Sequence, residues 1–203
     1  HLVDVARQNS LRIVHDPGTP LFHWIPMDDA IDLGVTSIEH AKAPWPVILV
    51  DSRRDEHDKL VGPGADQMDC QAFMTKVSTL GTASVSIDRI KWLTGKMKAN
   101  KAYLCPTLNV LSSMEEMAIA STKTALQLEE LPPPMMARIK TAIAGVQDVS
   151  RMIVREFAED SVKMLVGHDG YNPSATLVEM QLMSECGVPT VETIRGATIY
   201  PAE

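Results

Sequence analysis

The sequence predicts an α/β protein with parallel strands, and three observations support this class. Short apolar runs alternate with longer helical patterns along the 203 residues, as expected of βα units. The run at residues 162–170 stops abruptly in Gly-His-Asp-Gly, which is typical of a buried strand. Several runs also end in a histidine or an aspartate. In parallel sheets, such residues at the carboxyl ends of strands face the active-site mouth.

The four predicted strands are short apolar runs, and each stops at a polar residue, a glycine or a proline. The first ends at His15 and the second at His40. The third is interrupted at Pro106, and the fourth reaches Asp169. In chain order, these strands are predicted at 11–15, 35–40, 102–108 and 162–170.

The predicted helices follow from apolar residues at spacings of three and four, together with end signals. Pro26 at a first helical position and Gly34 just past a last one bound a short helix. A cap at Ser112 or Ser113 starts a longer one. In chain order, helices are predicted at 2–9, 26–33, 87–100, 112–130, 135–160, 174–185 and from Thr190 onward.

Residues 44–86 form a long excursion within a single domain of residues 1–203. Prolines interrupt its start, and a charged run follows at 51–59. Two interpretations stay open. A long insertion after a strand is often a lid or a substrate loop, and the segment is equally compatible with disordered padding.

Composition and charge exclude several classes of function. The net charge of −7 argues against nucleic acid as a partner. No run approaches 18 apolar residues, so no membrane partner is expected. The three cysteines lack a CxxC spacing, which favours a reduced, cytoplasmic setting. Because the chain opens at His1, a leader removed from a longer precursor stays compatible with the sequence.

Three predicted strands end in residues that can bind a metal or transfer a proton: His15, His40 and Asp169. Two imidazoles and one carboxylate suit zinc and similar divalent metals. The carboxylate can also accept a proton from a water molecule. Each residue also has an ordinary interpretation, because a strand-end histidine is often structural and an aspartate beside glycine often shapes a turn.

Three segments resemble the amidohydrolase superfamily of metal-dependent hydrolases. Residues 30–40, Ala-Ile-Asp-Leu-Gly-Val-Thr-Ser-Ile-Glu-His, resemble its strand-six signature, and residues 106–108 resemble its strand seven. The turn at 167–170 resembles its strand-eight Gly-Thr-Asp-Gly, followed by a helix with Glu179 and by the Arg-Gly-Ala-Thr segment at 195–198. The most similar branch contains imidazolonepropionase-like enzymes and Xaa-Pro or Xaa-Arg dipeptidases.

The resemblance implies a (β/α)8 TIM-barrel type of fold, of which this chain covers about strands five to eight. His15 and His40 would then be metal ligands, and Asp169 would be both a ligand and the general base. The implied cofactor is one or two divalent ions, most simply zinc. The implied reaction is hydrolysis of an amide or other C–N bond in a dipeptide or cyclic amide by metal-activated water.

The departures from this family also carry predictions. His168 replaces the usual threonine, and His168 and Tyr171 flank Asp169, where they could contact substrate. The chain contains no His-x-His pair, which the family carries in its first strand, and by the resemblance it lacks strands one to four. A half barrel would therefore need its missing N-terminal half or a second copy of itself as partner, because open parallel edges require cover. Two alternatives stay open: a non-catalytic half barrel, and a non-metal α/β protein with hydrogen-bonded histidines.

Overall fold

The computed structural model describes residues 2–17, 25–61, 67–169 and 174–203. Ten α-helices, two 3-10 helices and three short strands are found in these ranges. The helices, in order, are α1 Leu2–Gln8, α2 Met27–Leu33, α3 Trp45–Ile48, α4 Asp51–Leu60, α5 Gln67–Leu80, α6 Ile87–Asn100, α7 Leu108–Leu126, α8 Pro133–Glu159, α9 Ala175–Glu185 and α10 Thr190–Thr198. The strands are β1 Val14–His15, β2 Ser37–Glu39 and β3 Tyr103–Cys105, and the 3-10 helices are Gly81–Ser84 and Tyr200–Ala202.

The sheet is parallel, with the strand order β1-β2-β3. Ser37 of β2 pairs with Val14 on one side and with Tyr103 on the other. The pairing continues past the named strands, because the His40 amide donates to the Cys105 carbonyl at 2.8 Å. The three carboxyl ends therefore lie side by side at one edge of the molecule.

A fourth segment runs beside β3 without becoming a strand. Met164 forms a single parallel bridge with Leu104, and the Leu165 amide donates to the Leu104 carbonyl at 2.8 Å. The next amide, of Val166, donates instead to the carbonyl of Gly196 in α10 at 3.1 Å. Helix α10 thus takes the hydrogen bond that a longer ladder would need.

The predicted fold class is wrong. Helices hold 69% of the described residues, and the sheet has three strands of two or three residues, so the protein is a mainly helical α/β fold and not strands five to eight of a (β/α)8 barrel. Ordinary strands have about five to six residues. The apolar runs are buried as predicted at Ile38 and Leu104, but helices rather than further ladder pairs cover most of them.

Helix α8 organises the helical part of the fold. Its buried side chains Val149, Ile153, Val154 and Phe157 follow spacings of three and four, and each is fully buried. At Gly145 the helix approaches α5 so closely that a β-carbon would lie 1.7 Å from the Ser78 carbonyl oxygen. The sequence therefore brings these two helices into direct backbone contact.

The described part of the segment interpreted as an excursion contains three α-helices, α3, α4 and α5, and the 3-10 helix Gly81–Ser84. Trp45, Val47 and Ile48 of α3 are buried in the hydrophobic core. Phe73 and Val77 of α5 join the same core. The described part of this segment therefore packs as an integral part of the domain.

Several predicted helices are confirmed with small boundary shifts. Helix α6 has the predicted bounds, and the Ser86 hydroxyl caps it by accepting from the Arg89 amide. Gly34 ends α2 in the left-handed conformation, with φ of 83°. Helix α7 begins four residues earlier than predicted, directly after β3. Among the residues that the structure describes, no helix combines the length and apolar character needed to cross a bilayer.

Candidate functional site

His40 lies at the carboxyl end of β2 in a constrained position. Its backbone has a φ of 70°, and its side chain is only 13% exposed. The ring Nδ1 shares a hydrogen bond with the Thr107 Oγ1 at 2.8 Å. The opposite nitrogen, Nε2, faces the Asp16 carboxylate at 3.5 Å. The ring is thus oriented by Thr107 and presents Nε2 toward a carboxylate.

Thr107 is placed by the end of β3 and the start of α7. It is buried, and its φ of 50° turns the chain from strand to helix. The two amides that follow, of Leu108 and Asn109, donate to the carboxylate of Glu179 at 2.8 and 2.7 Å. Glu179 is fully buried in α9. This carboxylate therefore fixes the helix start that carries the orienting hydroxyl.

His15 ends β1, and one of its ring nitrogens has no partner among the described residues. Burial lowers its pKa, while a hydrogen bond with the Ile25 backbone and the charge of Asp16 oppose this shift. Its Nε2 atom is buried and has no hydrogen-bond partner among the described residues. Burial therefore favours the neutral form of this imidazole.

Lys42 and Asp169 both lie near His40. Asp169 is exposed and lines a cavity with His40 and Lys42. Lys42 is half-buried. Burial lowers the pKa of Lys42, and the negative charges of Asp16 and Asp169 partly oppose the shift. Both carboxylates consequently lie within electrostatic reach of one ammonium group.

The cavity beside His40 has a volume of about 210 Å³. Its wall is apolar where α7 passes, at Val110, Leu111 and Met114. Ser150 of α8 also lines it. The Ser150 hydroxyl is fully buried, and no hydrogen-bond partner exists for it among the described residues.

The structure brings some of the predicted residues together and leaves others apart. His40 and Asp169 line the same cavity, whereas His15 is not part of its lining. His168 is half-buried, and its Nδ1 atom lacks a partner within the described ranges. Tyr171, the other predicted substrate contact, lies outside the described residues.

Within the described residues, no three His, Cys, Asp or Glu side chains already form a metal-binding group. The chemistry of the donors nevertheless fits a divalent ion. A metal-bound histidine usually engages its second nitrogen with a carbonyl or another polar group. His40 has Nδ1 engaged by Thr107, and the buried His15 Nε2 has no hydrogen-bond partner among the described residues.

Cys105 lies close to this region but does not suit a nucleophile. Burial raises the pKa of its thiol, and a hydrogen bond with Glu39 acts in the same direction. Its sulfur sits 2.5 Å from where a β-carbon on Gly167 would be. The cysteine therefore packs β3 against the turn that precedes Asp169.

Sequence reasoning missed three groups of the site: Asp16, Lys42 and Ser150. Asp16 directly follows His15, and Lys42 comes two residues after His40, so proximity to a predicted ligand was the available signal for both. Ser150 lies in the middle of a long amphipathic helix. Nothing in the local pattern around Ser150 distinguishes it from a core position.

Comparison with known proteins supports the fold alone. No family model matches the chain, and no curated protein matches it. A crystal structure of a protein described as uncharacterized is similar, with a TM-score of 0.51 and 19% sequence identity. The match covers 99% of this chain and 35% of the other. The chain therefore spans about a third of the length of that neighbour.

Proposed function

We propose that this chain carries part of the site of a metal-dependent hydrolase acting on an amide or other C–N bond. The single observation that carries the proposal is the state of two strand-end imidazoles. The His40 Nδ1 is hydrogen-bonded to Thr107, which orients its Nε2 toward the Asp16 carboxylate, and the buried His15 Nε2 has no hydrogen-bond partner among the described residues. The resemblance of the strand-end segments to amidohydrolases supports the same reaction class.

Three residues would hold the ion: His15, His40 and Asp169. When bound, a divalent ion such as zinc supplies Lewis-acid activation of water and of the scissile carbonyl. Thr107 orients the His40 ring through the bond to Nδ1. Asp169 accepts a proton from water as the general base, since it is an exposed carboxylate on the cavity wall.

Two further groups act on the same region. The ammonium of Lys42 interacts electrostatically with Asp16 and Asp169, and of these two carboxylates only Asp169 lines the cavity. His168 follows Gly167 directly, and its Nδ1 lacks a partner among the described residues. We assign His168 to substrate contact, because an unpaired buried nitrogen can accept or donate a hydrogen bond to a ligand.

Metal binding tests this proposal without relying on turnover. The purified chain is saturated with zinc, passed through a desalting column and subjected to elemental analysis. We expect about one zinc per chain, reduced to background in His15→Ala and in His40→Ala. Asp169→Asn should retain less zinc than the wild type.

The matched control is His57→Gln. His57 is also buried, with an Nε2 atom that lacks a described partner, but it lies in α4 against Phe73. This variant should keep its zinc, and circular dichroism should show that all variants are folded. Zinc retention by His40→Ala equal to that of the wild type would refute the assignment.

Activity is then measured with the zinc-loaded chain on a panel of dipeptides and cyclic amides. Hydrolysis by the wild type that disappears in Asp169→Asn, while zinc is partly retained, would support the base role of Asp169. Hydrolysis unaffected by Asp169→Asn would exclude that role.

A further inference from the structure

The cavity between α7 and the carboxyl ends of β2 and β3 contains an unexplained polar group. The Ser150 hydroxyl is fully buried and has no hydrogen-bond partner among the described residues. Burying a hydroxyl without a partner is costly, so natural proteins rarely do so without a reason. In helices, a serine can satisfy itself on the carbonyl four residues earlier. Ser150 has no such bond.

The surroundings of Ser150 are apolar on one side and polar on the other. Val110, Leu111 and Met114 form the apolar wall. The polar side contains the Thr107 hydroxyl, which is already engaged with His40. A group that enters between them would meet hydrocarbon and one unpaired hydroxyl.

Charge at the mouth of the cavity is balanced between opposite signs. Lys42 and Asp169 both line it, and each interacts with the other. A ligand carrying a full charge would oppose one of these groups and would lose its own hydration on entering. An uncharged ligand avoids both penalties.

The size of the cavity limits the ligand. Its volume of about 210 Å³ somewhat exceeds the roughly 150 Å³ of a dry cavity that accepts benzene. A branched aliphatic group with one polar end, of roughly eight non-hydrogen atoms, is of this size.

We propose that this cavity binds the uncharged aliphatic portion of an amide substrate, with the Ser150 hydroxyl hydrogen-bonded to its polar end. The inference rests on the proposed hydrolase function, because it identifies the substrate class that the same site takes. It assigns Ser150 as a substrate-binding residue and the α7 wall as the determinant of an apolar substituent.

The test uses 4-methylpentanamide as the probe, with 4-methylpentanoate and 4-methylpentan-1-amine as charged analogues of the same carbon skeleton. Binding is measured on the chelator-treated full chain by NMR of methyl-labelled methionines. Met114 and Met117 line the cavity, whereas Met27 is buried in α2 and reports on non-specific effects. We expect saturable shifts of Met114 and Met117 alone, with a dissociation constant of about 1 mM.

Two serine variants separate a ligand-binding role from a structural one. Ser150→Ala should weaken binding of the amide about fivefold or more and raise the Tm by about 2 °C, because an unpaired buried hydroxyl has been removed. Ser184→Ala changes an exposed serine of α9 and should alter neither quantity. A Ser150 with a purely structural role would instead lose stability on substitution.

Three results would overturn the inference: no methionine shifts up to about 20 mM amide, binding of either charged analogue as tight as that of the amide, or unchanged amide binding by Ser150→Ala. The zinc measurement distinguishes this failure from failure of the proposed function. Zinc held by His15 and His40 without amide binding refutes the inference alone. Amide binding by a chain that holds no zinc refutes the hydrolase proposal and leaves the pocket established.

Discussion

Glu179→Ala should destabilise the protein through the start of α7. In the native structure, the Glu179 carboxylate accepts hydrogen bonds from the Leu108 and Asn109 amides at 2.8 and 2.7 Å, inside a fully buried environment. Alanine leaves both donors without an acceptor, at about 1–3 kcal/mol for each. Relief of the buried charge offsets part of this, so we expect a loss of about 3 kcal/mol and a fall in Tm of roughly 6–12 °C.

The measurement is urea denaturation followed by circular dichroism, with thermal melts in parallel. Glu179→Gln keeps one acceptor oxygen and should lose about half as much stability. Glu185→Ala, at the exposed end of the same helix, is the control and should stay within about 0.5 kcal/mol of the wild type. If Glu179→Ala and Glu185→Ala unfold at the same urea concentration, the buried carboxylate does not stabilise α7.

The same residue predicts a dependence on pH. Burial raises the pKa of Glu179, and the hydrogen bonds from Asn109 and Leu108 oppose this only partly. The native state therefore holds the proton more tightly than the unfolded chain does. This contribution to stability is complete below the unfolded pKa of about 4.3 and is lost as the pH rises through the folded pKa. Relative to Glu179→Gln, the wild type should thus lose stability as the pH rises above about 4.3; a gain in stability with rising pH would contradict the burial argument.

Two further predictions concern packing and the site. Gly145→Ala places a β-carbon 1.7 Å from the Ser78 carbonyl oxygen and should lower the free energy of unfolding by about 3 kcal/mol, as measured by thermal unfolding. Gly95→Ala is the control: no atom lies within 4 Å of its new carbon, and it should stabilise α6 by about 0.5–1 kcal/mol. Equal effects of the two substitutions would refute the close contact at Gly145. Thr107→Val removes the hydrogen bond to the His40 Nδ1 and should weaken zinc binding about 10- to 100-fold in a chelator competition assay. Thr107→Ser keeps the hydroxyl and should bind zinc like the wild type. Equal weakening by both variants would exclude loss of the hydroxyl as the cause.

The ends of the first two strands were predictable from sequence to within one residue, but the lengths of the strands and the loss of the fourth predicted strand were not. The apolar run that stops at His40 marks where a buried strand ends, because a buried strand needs apolar residues on both faces, whereas β1, which ends at His15, leaves Val14 61% exposed. The same runs do not reveal how many residues pair. At Val166 the amide bonds to Gly196 of α10, a partner that lies thirty residues later in the chain and that local pattern cannot identify.

Some residues of the candidate site were likewise predictable from the sequence, and others were not. His40 and Asp169 were identified as strand-end residues, and both line the cavity. Lys42 and Ser150 were not identified, because their roles depend on neighbours that are remote in sequence. The electrostatic partner of Lys42 is Asp169, and Ser150 is notable only because no described group satisfies its hydroxyl.

The sequence by itself determined part of the local structure of this protein. Periodic apolar residues and end signals such as Gly34 specify where α2, α6 and α8 lie, since these effects act within one or two turns, whereas they did not indicate α3 or α4. Only the tertiary structure decided the class of fold and the composition of the cavity. The fold depends on which segment accepts the next backbone hydrogen bond, as α10 does from the Val166 amide. The cavity depends on which polar group is left without a partner among the described residues, as the Ser150 hydroxyl of α8 is. Those choices follow from competition among distant segments for the same buried space.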